Sequence, residues 1–490
     1  MKTKLTGRFV IGYAGGDHAI YRDGEVVYED DTIIFVGHDF PGAVDLVRDY
    51  DDALISPGFI DLDALLDIDH AIFDSGLDAD RAAGQRWSED YFHHGRHETF
   101  AFDDEVFKRQ YGIVQLILNG ITTAMPIAAE MSREWAETYE EFAATAEIAA
   151  ELGLRMYLGP SYRAGVNVTQ TDGTPDVLWN EALGEDGLRQ AVRFVRDFDG
   201  AYRGLIRGAL LPARIETNTR DLLRRTRVYS DELACPLRLH AAQGAQEVRF
   251  LRAWYDRRPL ELLNELGVLG PRTLIPHVTN LGARDSGSDP FADLAFLRDS
   301  GSSVIHCPLI SARHGGALDS FDRYRQFGIN LALGTDTFPP DMIRVMDYGS
   351  NLGKIVAHDQ TAASAADLFR AATLGGAQAL GRDDLGRLAA GAKADITIID
   401  LGALQTGPID DPIRTLLYNT SGTSVRSVIV NGRTLMEERR IPGVDVEHLR
   451  TRAQHYFDAY KASYTARDYR RRQPDDLFPS SFPVVRRNTD

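Results

Sequence analysis

Residues 237–336 contain Leu237-Arg-Leu-His240, Thr273-Leu-Ile-Pro-His277, Ser303-Val-Ile-His-Cys307 and Leu331-Ala-Leu-Gly-Thr-Asp336. Each is a short apolar run that ends at or beside a titratable side chain. Longer segments separate them, and one of these, Ala245–Arg257, carries a helical period. Short apolar runs alternating with helices are the pattern of strands buried on both faces of a parallel sheet. The pattern continues outward in both directions. Ile121–Met125 and Arg155–Leu158 are further strand-like runs, and Trp135–Leu152, Leu188–Phe198 and Ser364–Leu380 are further helical segments. Repeated strand–helix units of this kind predict an α/β fold, a (β/α)8 TIM-like barrel over residues 57–381.

The two chain ends read differently. Ala19-Ile-Tyr-Arg-Asp-Gly-Glu-Val-Val-Tyr28 divides into two β-rich runs around Asp23-Gly24, a hairpin signal, and Thr32–Val36 follows as another strand. Strand patterning returns at Ala394–Asp400 and Val425–Gly432, where Asn431-Gly432 is again a turn. Residues 1–56 and 382–442 are therefore expected to pair into one β-sandwich flanking the barrel. Residues 443–490 read as a charged helix over Val446–Ser463 and then a polar tail.

Composition narrows the partners. Among 490 residues, 72 acidic side chains outnumber 54 basic ones, for a net charge of −18. That balance argues against nucleic acid or an anionic membrane as partner. A hydrophobic content of 43% excludes general disorder. Two cysteines, Cys235 and Cys307, cannot build a disulfide framework, which points to a reducing compartment. The opening residues lack a signal-peptide pattern and no apolar run is long enough to span a bilayer, so a cytoplasmic location is expected.

Active sites of such barrels lie at the carboxyl ends of the strands. Reading those ends gives His240, His277, Asp336 and, behind Pro57-Gly-Phe-Ile60, Asp61 and Asp63. Histidines and a carboxylate converging there can hold a divalent metal, or serve as acid and base without one. His306 lies at the next strand end. A second cluster, Trp87 with His93, His94 and His97, follows the first strand and would overhang the mouth. There Trp87 would stack on a flat substrate and the histidines would contact it. Cys307 is read as a small buried residue and not a nucleophile.

Several of these pieces together resemble the amidohydrolase superfamily: Pro57-Gly-Phe-Ile-Asp61, the His240 and His277 strand ends, His306-Cys-Pro308, Gly334-Thr-Asp336 and Leu388–Asp400. The branch is the chlorohydrolase and aminohydrolase group of triazine hydrolases and guanine and cytosine deaminases. The resemblance runs from about residue 19 to about residue 434. It implies the barrel with its β-sandwich, one divalent metal (zinc or iron), a metal-activated water, and a homodimer or larger assembly. It also implies hydrolysis of a C–N or C–Cl bond in a small ring or amidine.

The chain departs from that pattern at the site itself. Where the family has His-x-His, this sequence has Asp63-Ala64-Leu65, and leucine cannot bind a metal. Where deaminases carry a glutamate proton shuttle, it has Gln243, and a common asparagine is Ala312. If a metal is bound, its ligands are His240, Asp336 and Asp63, with His277 acting on the substrate as in the single-metal branch. This ligand set favours a site without tightly bound zinc or iron, and one divalent ion is the alternative. Catalysis is assigned to His277, Asp336, His240 and Asp63, and substrate contact to Trp87, His93, His94, His97, Gln243 and His306. The expected function is hydrolysis of a C–N bond in a small polar nitrogen-containing substrate, with an altered or absent metal site. A metal-independent lyase, isomerase or hydratase on the same scaffold is the alternative. A non-catalytic oligomeric scaffold comes third, because a scaffold needs none of His240, His277 and Asp336.

Overall fold

Eight short parallel strands form the barrel of this computed structural model: β1 (Phe59–Ala64), β2 (Ile121–Pro126), β3 (Arg155–Leu158), β4 (Ile206–Gly208), β5 (Leu237–Arg238), β6 (Thr273–Pro276), β7 (Ser303–His306) and β8 (Leu331–Leu333). The structure describes all residues except 69–77, 95–98, 128–132, 134, 283–290 and 486–490. Strands β1 to β4 form one sheet and β5 to β8 a second, each in chain order. A parallel bridge between Leu210 and Leu237 joins them on one side. On the other, the Asp336 amide donates to the Asp63 carbonyl at 2.9 Å. Nearly every strand residue is buried, as apolar runs without polar alternation require.

Local signals set the surrounding helices. Tyr139–Leu152 starts at a capping box in which Thr138 and Glu141 satisfy each other's amides, and it stops at Gly153, with φ 89°. Among the described residues, no helix is long and apolar enough to cross a membrane.

Both chain ends contribute to one eight-stranded sheet. Ala53–Pro57 runs parallel to Lys2–Ala14 on one side and antiparallel to Ile396–Asp400 on the other, and Val425–Val430 and Arg433–Met436 extend it. The sheet packs on Leu5, Val26, Ile55, Ile396 and Ile429, which makes it the β-sandwich beside the barrel. Asn431 (φ 49°) and Gly432 (φ 72°) make the tight turn between the last two strands. The Asp23-Gly24 hairpin read from sequence does not form. Asp17–Glu29 is one continuous strand paired antiparallel with Lys2–Ala14, and the chain reverses at Gly15-Gly16. Asp23 takes a left-handed φ of 51° inside the strand, so the pair absorbs an irregularity instead of turning the chain.

The carboxyl-terminal helix extends further than its pattern suggested, over Val446–Arg467. Arg467 is fully buried at its end. Its guanidinium carbon lies 3.7 Å from the Trp87 ring centroid, 4.6 Å from that of Tyr464 and 5.3 Å from that of Tyr460. The helix thereby fastens the segment after β1 to the barrel's outer wall.

Candidate functional site

Side-chain parity decides which residues meet inside the barrel. Arg238 pairs with Leu274 across β5 and β6, and Ile305 with Ala332 across β7 and β8. Paired residues share a face, so Arg238 and, two residues on, His240 turn inward. His277 falls on the parity of Ile275, which packs in the outer core. Its left-handed backbone, φ 67°, breaks the alternation and brings the ring back to the centre. Asp336 is also left-handed, at φ 47°. Non-glycine residues in this region cost energy and cluster at functional sites. Gly334 makes room for them: a Cβ there would sit 2.5 Å from the Cβ of Asp63.

The buried carboxylate of Asp63 is the hub. Its Oδ1 is 3.0 Å from Nη1 of Arg238, and its Oδ2 is 3.4 Å from Nε2 of His240 and 3.9 Å from Nε2 of His277. The Cys307 thiol donates to the same Oδ2 at 3.6 Å. His277 Nε2 lies 3.5 Å from Oδ2 of Asp336, whose side chain keeps 13% exposure where the others are closed off. His240 directs Nδ1 to the Ala213 carbonyl at 3.2 Å, which leaves Nε2 for the site.

Electrostatics divides the roles. Burial alone would raise the Asp63 pKa, but His240 and Arg238 outweigh it and hold the group at about 2. Burial lifts Asp61 to about 7 even though Thr335 donates to it twice, at 2.6 and 3.1 Å. His277 is pushed well below 6.5, first by burial and then by the neighbouring His240, so it stays neutral and can accept a proton. Burial and the Asp63 anion push the Cys307 thiol well above its usual range, which leaves it a weak nucleophile.

The structure brings together four residues read from the sequence: Asp63, His240, His277 and Asp336. The others lie elsewhere. His306 has the outward parity of β7, and its ring packs against Phe321 at 5.9 Å, with burial lowering its pKa to about 4. Gln243 accepts from Nη1 of Arg214 at 2.5 Å. Trp87 is not a platform for substrate, because it is 3% exposed and its face is covered by Arg467. His93 and His94 are exposed and pair with Glu89 (3.8 Å) and Asp90 (2.8 Å) on their own helical turn. His97 lies outside the described residues. Sequence reading missed Arg238, although an arginine inside an apolar strand run was a visible signal. It also missed Glu247, fully buried and lifted to about 8 by burial and Glu216. Glu247 accepts from the amides of Ala242 (2.6 Å) and Gln243 (3.1 Å) and so fixes the loop after His240.

These donors can be tested against a divalent metal. Ligand atoms of Asp63, His277 and Cys307 lie within 4.8 Å of one another. The Arg238 guanidinium already pairs with that same Asp63. A divalent ion sharing the carboxylate would have to compete with that guanidinium for it. The buried atoms without hydrogen bonds point the same way. His277 Nε2 lacks a donor and Arg238 Nε lacks an acceptor, while Arg238 Nη1 and Asp63 Oδ1 face each other at 3.0 Å. An ion could take the His277 lone pair but not the Arg238 N–H, whereas water or a polar substrate can serve both. Among the described residues, the donors around Asp63 fit a divalent metal poorly, because Arg238 already holds that carboxylate.

Residues 102–435 match the amidohydrolase family. A 5-methylthioadenosine/S-adenosylhomocysteine deaminase of Natronomonas pharaonis is 29% identical over 349 residues, 70% of this chain and 74% of the relative. A 5′-deoxyadenosine deaminase of Methanothermobacter thermautotrophicus is 28% identical over 451 residues, 91% and 95% of the two chains. An adenosine deaminase from Xanthomonas campestris, solved with bound zinc, superposes with a TM-score of 0.74 at 21% identity, covering 94% of this chain and 98% of its own.

Proposed function

We propose, from the premise that this chain belongs to the amidohydrolase family and hydrolyses C–N bonds, that it deaminates a small planar ring carrying an exocyclic amine, in the size class of an adenine nucleoside. Two of its relatives are named as deaminases of 5′-substituted adenosines. The observation that carries the reading is the 3.5 Å approach of His277 Nε2 to the Asp336 carboxylate at the carboxyl ends of the strands, where burial pulls the imidazole pKa well below 6.5. In this reading water attacks the amine-bearing ring carbon and His277 Nε2 takes its proton. The tetrahedral centre then collapses, the C–N bond breaks, and His277 returns the proton to the departing nitrogen. The products are the oxo ring and ammonia. Asp336, whose Oδ2 faces that same Nε2, stabilises the imidazolium once Nε2 has taken the proton. Gln243 cannot move a proton, so the shuttle falls to His277.

Ammonia release from adenosine, 5′-deoxyadenosine, 5′-methylthioadenosine and guanine tests the reading. At least one should be turned over with the matching oxo product. Silence across aminated purines, pyrimidines and triazines would overturn it. The pH profile gives a second check. A base held below 6.5 keeps its neutral form as pH falls, so the acid limb of kcat/KM should lie below pH 6.5. A limb above that value would assign the base to another group.

A further inference from the structure

We propose that Arg238 is the built-in cation of this site, doing with a guanidinium the electrostatic work a divalent ion would do. The inference deepens the functional reading above and rests on it. Arg238 comes from β5 two residues before His240, on the same inward face, and is 1% exposed. A buried cation needs a fixed counterion, and Asp63 supplies one at 3.0 Å while itself being fully buried. With Nη1 committed to Asp63 at 3.0 Å, Nε of Arg238 is left without a hydrogen bond, as is His277 Nε2 in the same buried cluster. One guanidinium N–H and one imidazole nitrogen thus stand unsatisfied beside the Arg238–Asp63 ion pair. An attacked ring takes on negative charge at its nitrogens as water adds. Guanidinium N–H groups, held by Asp63 and already stripped of water, are suited to receive that charge. The same positive charge bars a divalent ion from Asp63. Arginine is the fitting residue because it keeps its charge when buried and presents its donors in a rigid plane.

The test begins with the unaltered enzyme. Purified from zinc-supplemented medium, it should carry far less than one divalent metal per chain by elemental mass spectrometry, and prolonged chelation should leave its activity unchanged. R238Q keeps much of the side chain's length but removes the charge. It should bind zinc at least about tenfold more tightly than the wild type in calorimetric titration, because a neighbouring positive charge is gone. R238K should still exclude zinc. Stoichiometric metal in the wild type, lost with activity on chelation and restored with zinc, would overturn the proposal, as would equal zinc affinity in wild type and R238Q. If R238Q does not fold, the wild-type metal content and R238K still decide. Metal content and zinc affinity need no substrate, so their failure is distinct from failure of the deaminase reading.

Discussion

H277Q should lower kcat/KM by roughly 10²–10⁴-fold, the usual contribution of a positioned acid–base group, while shifting the melting temperature little. Glutamine is neutral and polar, and His277 is itself held neutral by burial and by His240. The substitution therefore removes a proton acceptor without placing a charge in the barrel. D336N should cost a similar factor, because the amide can contact the ring but cannot stabilise its charged form. The two residues act as one unit across 3.5 Å. The double variant should therefore be little slower than the slower single variant, a non-additivity that separates a coupled pair from two independent contacts. The measurement is steady-state kinetics on whichever aminated ring is turned over. Full turnover by D336N would remove Asp336 from the mechanism.

R467A should destabilise the fold by about 3–5 kcal/mol, combining the loss of a desolvated cation–π contact with the cavity left behind. The guanidinium sits 3.7 Å over Trp87 and also contacts Tyr464 and Tyr460. Tyr460 and Tyr464 share the helix of Arg467 while Trp87 belongs to the segment after β1, so the loss should loosen the carboxyl-terminal helix and the region around Trp87 together. R467K, which keeps a cation but loses the planar stack, should cost less. Urea denaturation followed by tryptophan fluorescence reads both, since Trp87 is in the contact. A change under about 0.5 kcal/mol for R467A, the range of an ordinary surface substitution, would mean that the aromatic box contributes nothing to stability.

The barrel could be read from sequence because strands buried on two faces leave an unmistakable mark. Leu331-Ala-Leu and Thr273-Leu-Ile-Pro have no polar alternation, and helical segments separate such runs. The strand-end rule then reached Asp63, His240, His277 and Asp336, since any group at that end of a barrel strand faces the mouth. The rule could not say which way a side chain points. His306 met the positional rule and faces Phe321 instead. His277 reaches the centre only through a left-handed backbone that no local pattern announces. Trp87 looked like an exposed aromatic because its cover, Arg467, lies 380 positions away. Arg238 closes β5, but the apolar run Leu237-Arg-Leu continues to His240, and the strand-end rule selects the histidine instead.

The shared sheet has a consequence for biosynthesis. Ala53–Pro57 finds its antiparallel partner in Ile396–Asp400, with Ile55 opposite Ile398. About 340 residues emerge from the ribosome between these two strands, roughly 20–70 s at 5–20 residues per second. Throughout that interval Leu54 and Ile55 present an apolar strand with one edge open, the kind of surface that recruits the wrong partner. The nascent chain therefore carries that edge uncovered for most of its synthesis, and a stall near residue 390 would leave a fully translated barrel beside an unfinished sheet.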